Sequence, residues 1–473
     1  MKTSNPALLS WAALAVALAS VTACSRPQPL ADAWQPPKSV RIEGKQAWQN
    51  VFASWMAWHA GTATDGTAGL LVRDGDWLAG KDSILVYRAT DGNILRPTIE
   101  QGMTRLGKTV VGLSLDDGGR EWLEQATAQE LAAVRIIGWP EKLTDECLPA
   151  LRRLAAANPQ VNLLVPSTAT LRQATPLFRP RTLFAKEGDA AGFKLLSAQT
   201  QLETLVITVG QKAPAAERTG AGFEFLRNLP RLRRLEIMDC DFEKFGALPS
   251  SLTSLRSLHV RGSEFRDLAS LGQLPASLEE LVLEGNKNNG EIDLSGLARF
   301  PNLKTLILTE GRVRGLSALD GLDQLQWVGL SGDITQEQFA GFIAAHPKLK
   351  ILELVACSAV TDFTPLKNLR GLESLIFTSL GEKGAASEIL PKNLEVLRSL
   401  KSLRFVGLPT HLFEKSPAQV AEIQKALPDA LVVPVKPFCL GSGWILLLPA
   451  VAVGAMLARS WRRHSAPRHP PHD

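Results

Sequence analysis

Apolar residues recur along the second half of the chain in a fixed short pattern, Leu-x-x-Leu-x-apolar. It reads LETLVI from Leu202, LRRLEI from Leu232, LRSLHV from Leu255, LEELVL from Leu278 and LKTLIL from Leu303. It continues as LQWVGL from Leu325, LKILEL from Leu349, LESLIF from Leu372 and LKSLRF from Leu400. The second apolar position falls at 205, 235, 258, 281, 306, 328, 352, 375 and 403, mostly about 22 to 25 residues apart. A unit that short holds no private core, so each must bury its apolar face against the next. The last three residues of each pattern alternate apolar and variable, the period of a strand. The pattern therefore predicts a solenoid with one short strand per coil, stacked into a parallel sheet. Leu205, Leu235, Leu258 and Leu281 should lie side by side and buried.

Outside this regular stretch the periods change. Weaker matches, VVGLSL from Val110 and LAAVRI from Leu131, extend the coils toward the N-terminus. Between 137 and 200 the period blurs: LTDECLPALRRLAAANPQVNLLV reads as a helix and then a strand, and either longer helical repeats or a break fits. ITQEQFAGFIAAHPK (334–348) reads as a helix, and PAQVAEIQKALPDALVVPV (417–435) as a closing helix and strand. Other fillers, RGLSALDGLDQ (314–324) and VTDFTPLKNLRG (360–371), leave room only for tight turns.

Spacing and filler together resemble leucine-rich repeats, and the compact fillers resemble the internalin-like class found in bacteria. The resemblance covers about 330 residues, from 106 to 435. It implies an α/β solenoid, a horseshoe with a concave parallel sheet. It also implies an inward slot at the turn after each strand, usually Asn or Cys. Here only Asn286 is the usual Asn; Cys240 and Cys357 fit, and Gly210, Ser263, Gly311, Asp333, Leu380 and Leu408 depart from it. Residues 41–105 precede the repeats and read as an N-terminal cap. KQAWQNVFASWMAWHA (45–60) puts Trp48, Phe52 and Trp55 near one helical face, and two short apolar runs follow.

The two ends carry targeting signals. Lys2, an apolar run from Ala7 to Ala19 and then small residues form a signal-peptide layout over 1–23. Val21-Thr22-Ala23-Cys24 resembles the lipobox of bacterial lipoproteins, which implies a lipid on Cys24; ordinary cleavage after Ala23 and an uncleaved anchor are the alternatives. Residues 24–40 form a Pro-rich tether. Residues 437–458 hold no charge and are long enough to span a bilayer; a buried core helix and a processed sorting tail are the alternatives. Arg459, Arg462, Arg463 and Arg468 make 459–473 a basic tail that belongs in the cytoplasm, leaving the repeats extracytoplasmic, periplasmic or on the surface. Ser25 favours transfer to an outer membrane whereas the helix favours an inner one; the helix is the stronger anchor.

Composition narrows the function classes. The net charge of +5 is small for 473 residues, and no basic stripe with interleaved aromatics is present, so nucleic acid is not an expected partner. None of the usual hydrolase, zinc-protease, nucleotide or dinucleotide motifs occurs. The cysteines show no ligand or disulfide spacing, and no cofactor is expected. The variable strand positions should form a solvated face, with a basic band at Arg233, Arg234, Arg256 and Arg261 around His259. Glu284 marks the acidic band beside it, and Trp327 stands further along. Arg and Trp often anchor interfaces. These seven residues are the candidate contact site for another envelope or extracellular protein. The expectation is a non-enzymatic, membrane-anchored recognition module. An envelope enzyme or regulatory subunit with a site in 41–105 is the alternative.

Overall fold

The computed structural model describes strand segments between Trp77 and Leu106 and, with short breaks, residues 108–435. The expected signal peptide, Cys24, the tether, residues 41–76, the 437–458 span and the basic tail lie outside the described residues. So do Cys240, Asn286 and the side chains of Arg261 and Glu284.

Each coil begins with a tight turn. The Leu232 N–H donates to the Leu229 carbonyl at 3.1 Å, Leu255 to Leu252 at 3.0 Å and Leu372 to Leu369 at 3.1 Å. An i-to-i+3 turn places residues three apart on one side, so both leucines point inward before the chain enters its strand. The strand then alternates with period two. The full unit is therefore Leu-x-x-Leu-x-x-Leu-x-apolar, and Leu229, Leu232, Leu235 and Ile237 are all buried in one core.

The strands stack in parallel register. Leu205 pairs with Leu235, Leu235 with Leu258, Leu258 with Leu281 and Leu281 with Leu306. All five are fully buried, as the pattern predicts. The ladder continues through Val328, Leu352, Leu375, Val406 and Val432. Burying each leucine stabilises by about 1.5–3 kcal/mol, so the sum over the ladder is the main force holding neighbouring coils together.

Two positions differ from the pattern reading. LKSLRFVGL matches Leu-x-x-Leu-x-apolar twice, from Leu400 and from Leu403. The strand uses the second: Val406, not Leu403, pairs with Leu375, and Leu400 and Leu403 are the turn leucines. LAAVRIIGW overlaps in the same way, and Ile137 rather than Ile136 joins the inward ladder. A three-residue spacing that repeats itself leaves its phase open until the neighbouring strand chooses.

Between 137 and 200 the solenoid does not break. Ile137, Leu163, Leu183 and Leu205 pair in turn, carried by strands Ile136–Gly138, Asn162–Val165, Thr182–Ala185 and Thr204–Thr208. The paired residues are 26, 20 and 22 apart, an ordinary period; the pattern blurs because Gln160 and Pro180 stand where the turn leucine would. One connection is the helix Leu148–Ala157 that buries Leu151 and Leu154. Helices Gln336–Ala345 and Pro417–Ala426 sit where the sequence predicts them, and the tight fillers form 3₁₀ turns Leu316–Leu319 and Thr364–Asn368. Thr335 caps its helix by accepting from the Gln338 N–H while Gln338 returns a bond to the Thr335 N–H.

The main sheet has sixteen strands among the described residues. At its N-terminal edge Thr98–Glu100 and Met103–Leu106 form an antiparallel hairpin that pairs with Thr109–Ser114. This hairpin covers the strand edge that would otherwise stay open. A separate three-stranded antiparallel sheet, Trp77–Ala79, Ile84–Arg88 and Ile94–Leu95, lies in the region expected to form the cap.

Candidate protein-binding surface

Because the strands are in register, equivalent residues of successive coils lie side by side in rows. The inward row is the leucine ladder. The outward row carries Val206, Glu236, His259, Val282, Ile307, Gly329, Glu353 and Ile376. A third row, at the edge where the chain enters the sheet, carries Arg181, Glu203, Arg233, Arg256, Glu279, Lys304, Gln326, Lys350 and Glu373. Each of its carbonyls from Arg181 to Glu373 accepts a backbone N–H of the following strand.

Neither the outward row of Glu236 and His259 nor the parallel outward row of Arg234, Ser257, Glu280, Thr305 and Trp327 is the solvated face that alternation suggests. Arg234 is 4% exposed, His259 and Glu236 0%, and Trp327 1%. Val282, Ile307 and Ile376, in the row of Glu236 and His259, are also buried, yet they do not belong to the inward core. Three of the expected contact residues, Arg234, His259 and Trp327, are thus buried side chains. Period two assigns a residue to a face; it does not say whether that face is wet.

Arg234 Nη2 stands 3.5 Å from Glu236 Oε2, and His259 Nδ1 lies 3.7 Å from the same oxygen. On the next strand Ser257 Oγ donates to Glu280 Oε2 at 2.5 Å. Arg234 Nη1 and Glu280 Oε1 find no hydrogen-bond partner among the described residues. Burial holds the His259 imidazole below its ordinary value of 6.5, outweighing the opposing pull of Glu236. This cluster is therefore a compensated arginine–glutamate pair beside a neutral histidine, not a band of free positive charge.

The edge row is reachable by solvent, and there two of the expected residues come together. Arg233 and Arg256 line an open cleft of about 460 Å³ with Glu203, Arg231, Thr253 and Ser254. Arg231 is exposed, and Arg233 and Arg256 are half-buried. Arg256 Nη1 donates to the Ser277 carbonyl at 2.9 Å, and its Nε stands 3.9 Å from Glu279. Glu279 is also held by Lys304 Nζ at 2.6 Å. At the other end Arg181 donates through Nε and Nη2 to Glu203 Oε1 at 2.9 and 2.5 Å. The strand-entry turns Leu229–Leu232 and Leu252–Leu255 set the cleft walls, because their leucines anchor inward while Arg231, Thr253 and Ser254 project between them.

Arg231 escapes the strand pattern because it sits in the turn; the run Arg231, Arg233, Arg234 was its only trace in the sequence. Asn393 was missed as well. Its buried amide accepts from the Phe363 N–H at 2.7 Å and donates to the Thr361 carbonyl at 2.8 Å, tying two coils together. Cys357 occupies its expected inward slot, buried, with Sγ 3.8 Å from the Leu330 carbonyl. His346 is structural: Nδ1 lies 2.8 Å from the Phe342 carbonyl and Nε2 2.8 Å from that of Leu319. Among the described residues no group of three His, Cys, Asp or Glu side chains could hold a metal ion. Among them, too, no helix is long and apolar enough to cross a membrane.

The register and the buried ladder define the class of fold, a leucine-rich-repeat solenoid. No family model matches the sequence. A Trypanosoma equiperdum protein named "Putative adenylate cyclase regulatory protein" is 28% identical over 158 residues, which are 33% of this chain and 24% of that protein. The matched part thus spans about a quarter of that relative's length. Among solved structures, internalin C2 of Listeria monocytogenes is similar at 22% identity over 44% of this chain and 83% of that one, with a TM-score of 0.30. Internalin F of the same organism is 17% identical over 71% of this chain and 84% of its own, with a TM-score of 0.37.

Proposed function

We propose that this protein is a recognition module that binds another protein at the bacterial cell envelope. The observation that carries this reading is the open charged cleft on the strand edges, mounted on a ladder of buried leucines. Packed strands and their turns fix the backbone from which these side chains project, so binding orders little main chain. The fold alone does not imply function; the cleft is what gives the reading a surface. Export by residues 1–23, a lipid on Cys24 and anchoring by 437–458 are part of the proposal and rest on sequence.

Affinity capture of the tagged full chain from its native envelope tests the binding claim. The wild type should retain a partner that a chain carrying Arg231→Ala, Arg233→Ala and Arg256→Ala loses while its circular dichroism is unchanged. Equal recovery of the same partner by both chains would sink the assignment to the cleft. Protease treatment of intact spheroplasts tests orientation: the repeats should be cut and the tail protected. The reverse pattern would invert the topology. Fatty-acid labelling that persists in Cys24→Ala would remove the lipid from the proposal.

A further inference from the structure

We infer that the cleft recognises an acidic peptide segment, Asp or Glu side chains presented by the partner, with Arg231 and Arg233 as its principal contacts. This rests on reading the chain as a recognition module. Its lining carries three guanidinium groups, Arg231, Arg233 and Arg256, against one carboxylate, Glu203. That carboxylate is already engaged from the adjacent strand by Arg181. Arg256 is pinned to the Ser277 carbonyl and shares Glu279 with Lys304. Arg231 and Arg233 form no ion pair among the described residues, so their donors remain for a ligand.

The charge order along the edge row makes the same point. From Arg181 to Lys304 the signs run plus, minus, plus, plus, minus, plus. Arg233 and Arg256 are the like-charged neighbours in that stretch, on strands joined by the Arg256 N–H to the Arg233 carbonyl at 2.8 Å. Like charges facing each other across strands destabilise a sheet. An anion held by Arg231 and Arg233 offsets that repulsion and accepts paired N–H donors in the geometry that guanidinium favours.

The shape argues for a peptide over a lone ion. The cleft spans three coils, from Glu203 through Arg231 and Arg233 to Arg256, about 10 Å at roughly 4.8 Å per strand, which is longer than a lone ion fills. Alternate residues of an extended peptide are about 7 Å apart, so two acidic side chains reach Arg231 and Arg233 together. Thr253 and Ser254 also line the cleft, and their hydroxyls supply polar groups that a peptide backbone can bond. No aromatic side chain lines the cleft, so it offers no platform for a nucleobase.

The test is fluorescence anisotropy with the full chain and a labelled peptide of alternating Glu and Gly, compared with its Gln–Gly counterpart. The Glu peptide should bind and weaken with added salt; the Gln peptide should not bind. Arg231→Gln with Arg233→Gln should weaken binding on the order of tenfold to a hundredfold. A control with the same charge loss, Arg152→Gln with Arg172→Gln, changes exposed residues of two other coils and should bind as wild type does. Arg231→Glu with Arg233→Glu should lose the Glu peptide and gain a Lys–Gly peptide, which a misfolded chain would not do. Equal binding of Glu and Gln peptides, or an unaffected Arg231→Gln/Arg233→Gln chain, overturns the inference. So does binding of inorganic phosphate without the Glu peptide. Because the probe is synthetic, these results stand apart from the envelope capture: a cleft that binds the Glu peptide in a chain that retains no partner would fail the module reading alone.

Discussion

Replacing Asn393 by leucine should destabilise the protein by about 2–4 kcal/mol. The side chain is buried and joins successive coils through two backbone bonds, from the Phe363 N–H at 2.7 Å and to the Thr361 carbonyl at 2.8 Å. Leucine has the same branching and number of heavy atoms but bulkier methyl groups, so no cavity forms and any packing strain adds to the loss. What remains is the buried Phe363 N–H without a partner, costing about 1–3 kcal/mol, and the carbonyl of exposed Thr361, which water can reach and which costs less. The loss should be local, because coils of a solenoid interact with their neighbours. Urea unfolding followed by circular dichroism measures the total. Hydrogen exchange locates it: the Phe363 amide should exchange faster while the strand around Leu258 keeps its protection. A loss below about 0.5 kcal/mol, the range of an ordinary surface substitution, would refute the reasoning. So would an unchanged Phe363 amide.

Gly192→Ala should cost about 1–3 kcal/mol in the same urea assay, because an added Cβ would meet Thr168 Oγ1 at 2.0 Å and its backbone carbon at 2.5 Å. Wild-type stability would mean that the two segments are less closely packed than this. Leu258→Ala, at a fully buried rung of the ladder, should cost about 2–5 kcal/mol; a loss under about 1 kcal/mol would argue against the stacked core. The pH dependence has a definite sign. Burial holds His259 below 6.5, so the unfolded chain takes up a proton that the folded one refuses. Its contribution to stability is present above that pH and falls as pH drops through it, by at most about 1.4 kcal/mol per pH unit. The urea midpoint should therefore fall on acidification below pH 6.5, and less steeply in His259→Gln; equal slopes would contradict the burial of that ring.

The inward leucines were legible because three-residue turns and two-residue strands both print themselves in the sequence. Their phase was not always legible: at Leu400–Leu408 and Leu131–Trp139 two registers fit the letters, and only pairing with Leu375 or Leu163 separates them. The strands at Leu163 and Leu183 were hidden because Gln160 and Pro180 replace the turn leucine, not because the spacing changes. For the site, alternation correctly put Arg234, His259 and Trp327 opposite the leucines, but the exposure of a face depends on the tertiary structure. Arg233 and Arg256 were found because they adjoin strands. Arg231, Thr253 and Ser254 were not, because a turn position becomes a cleft wall only when neighbouring coils stack. Asn393 stands outside the repeat slots, and its pairing with Phe363 and Thr361 spans a coil-to-coil gap that no local pattern encodes.

The most direct measurement of the central claim is arginine-specific glyoxal labelling of the full chain, read by mass spectrometry with and without its captured partner. If the strand-edge cleft is the binding surface, the partner should slow modification of Arg231 and Arg233 and leave exposed Arg152 and Arg172 reacting as before. Unchanged labelling of Arg231 and Arg233 in the complex, with protection elsewhere, would contradict it.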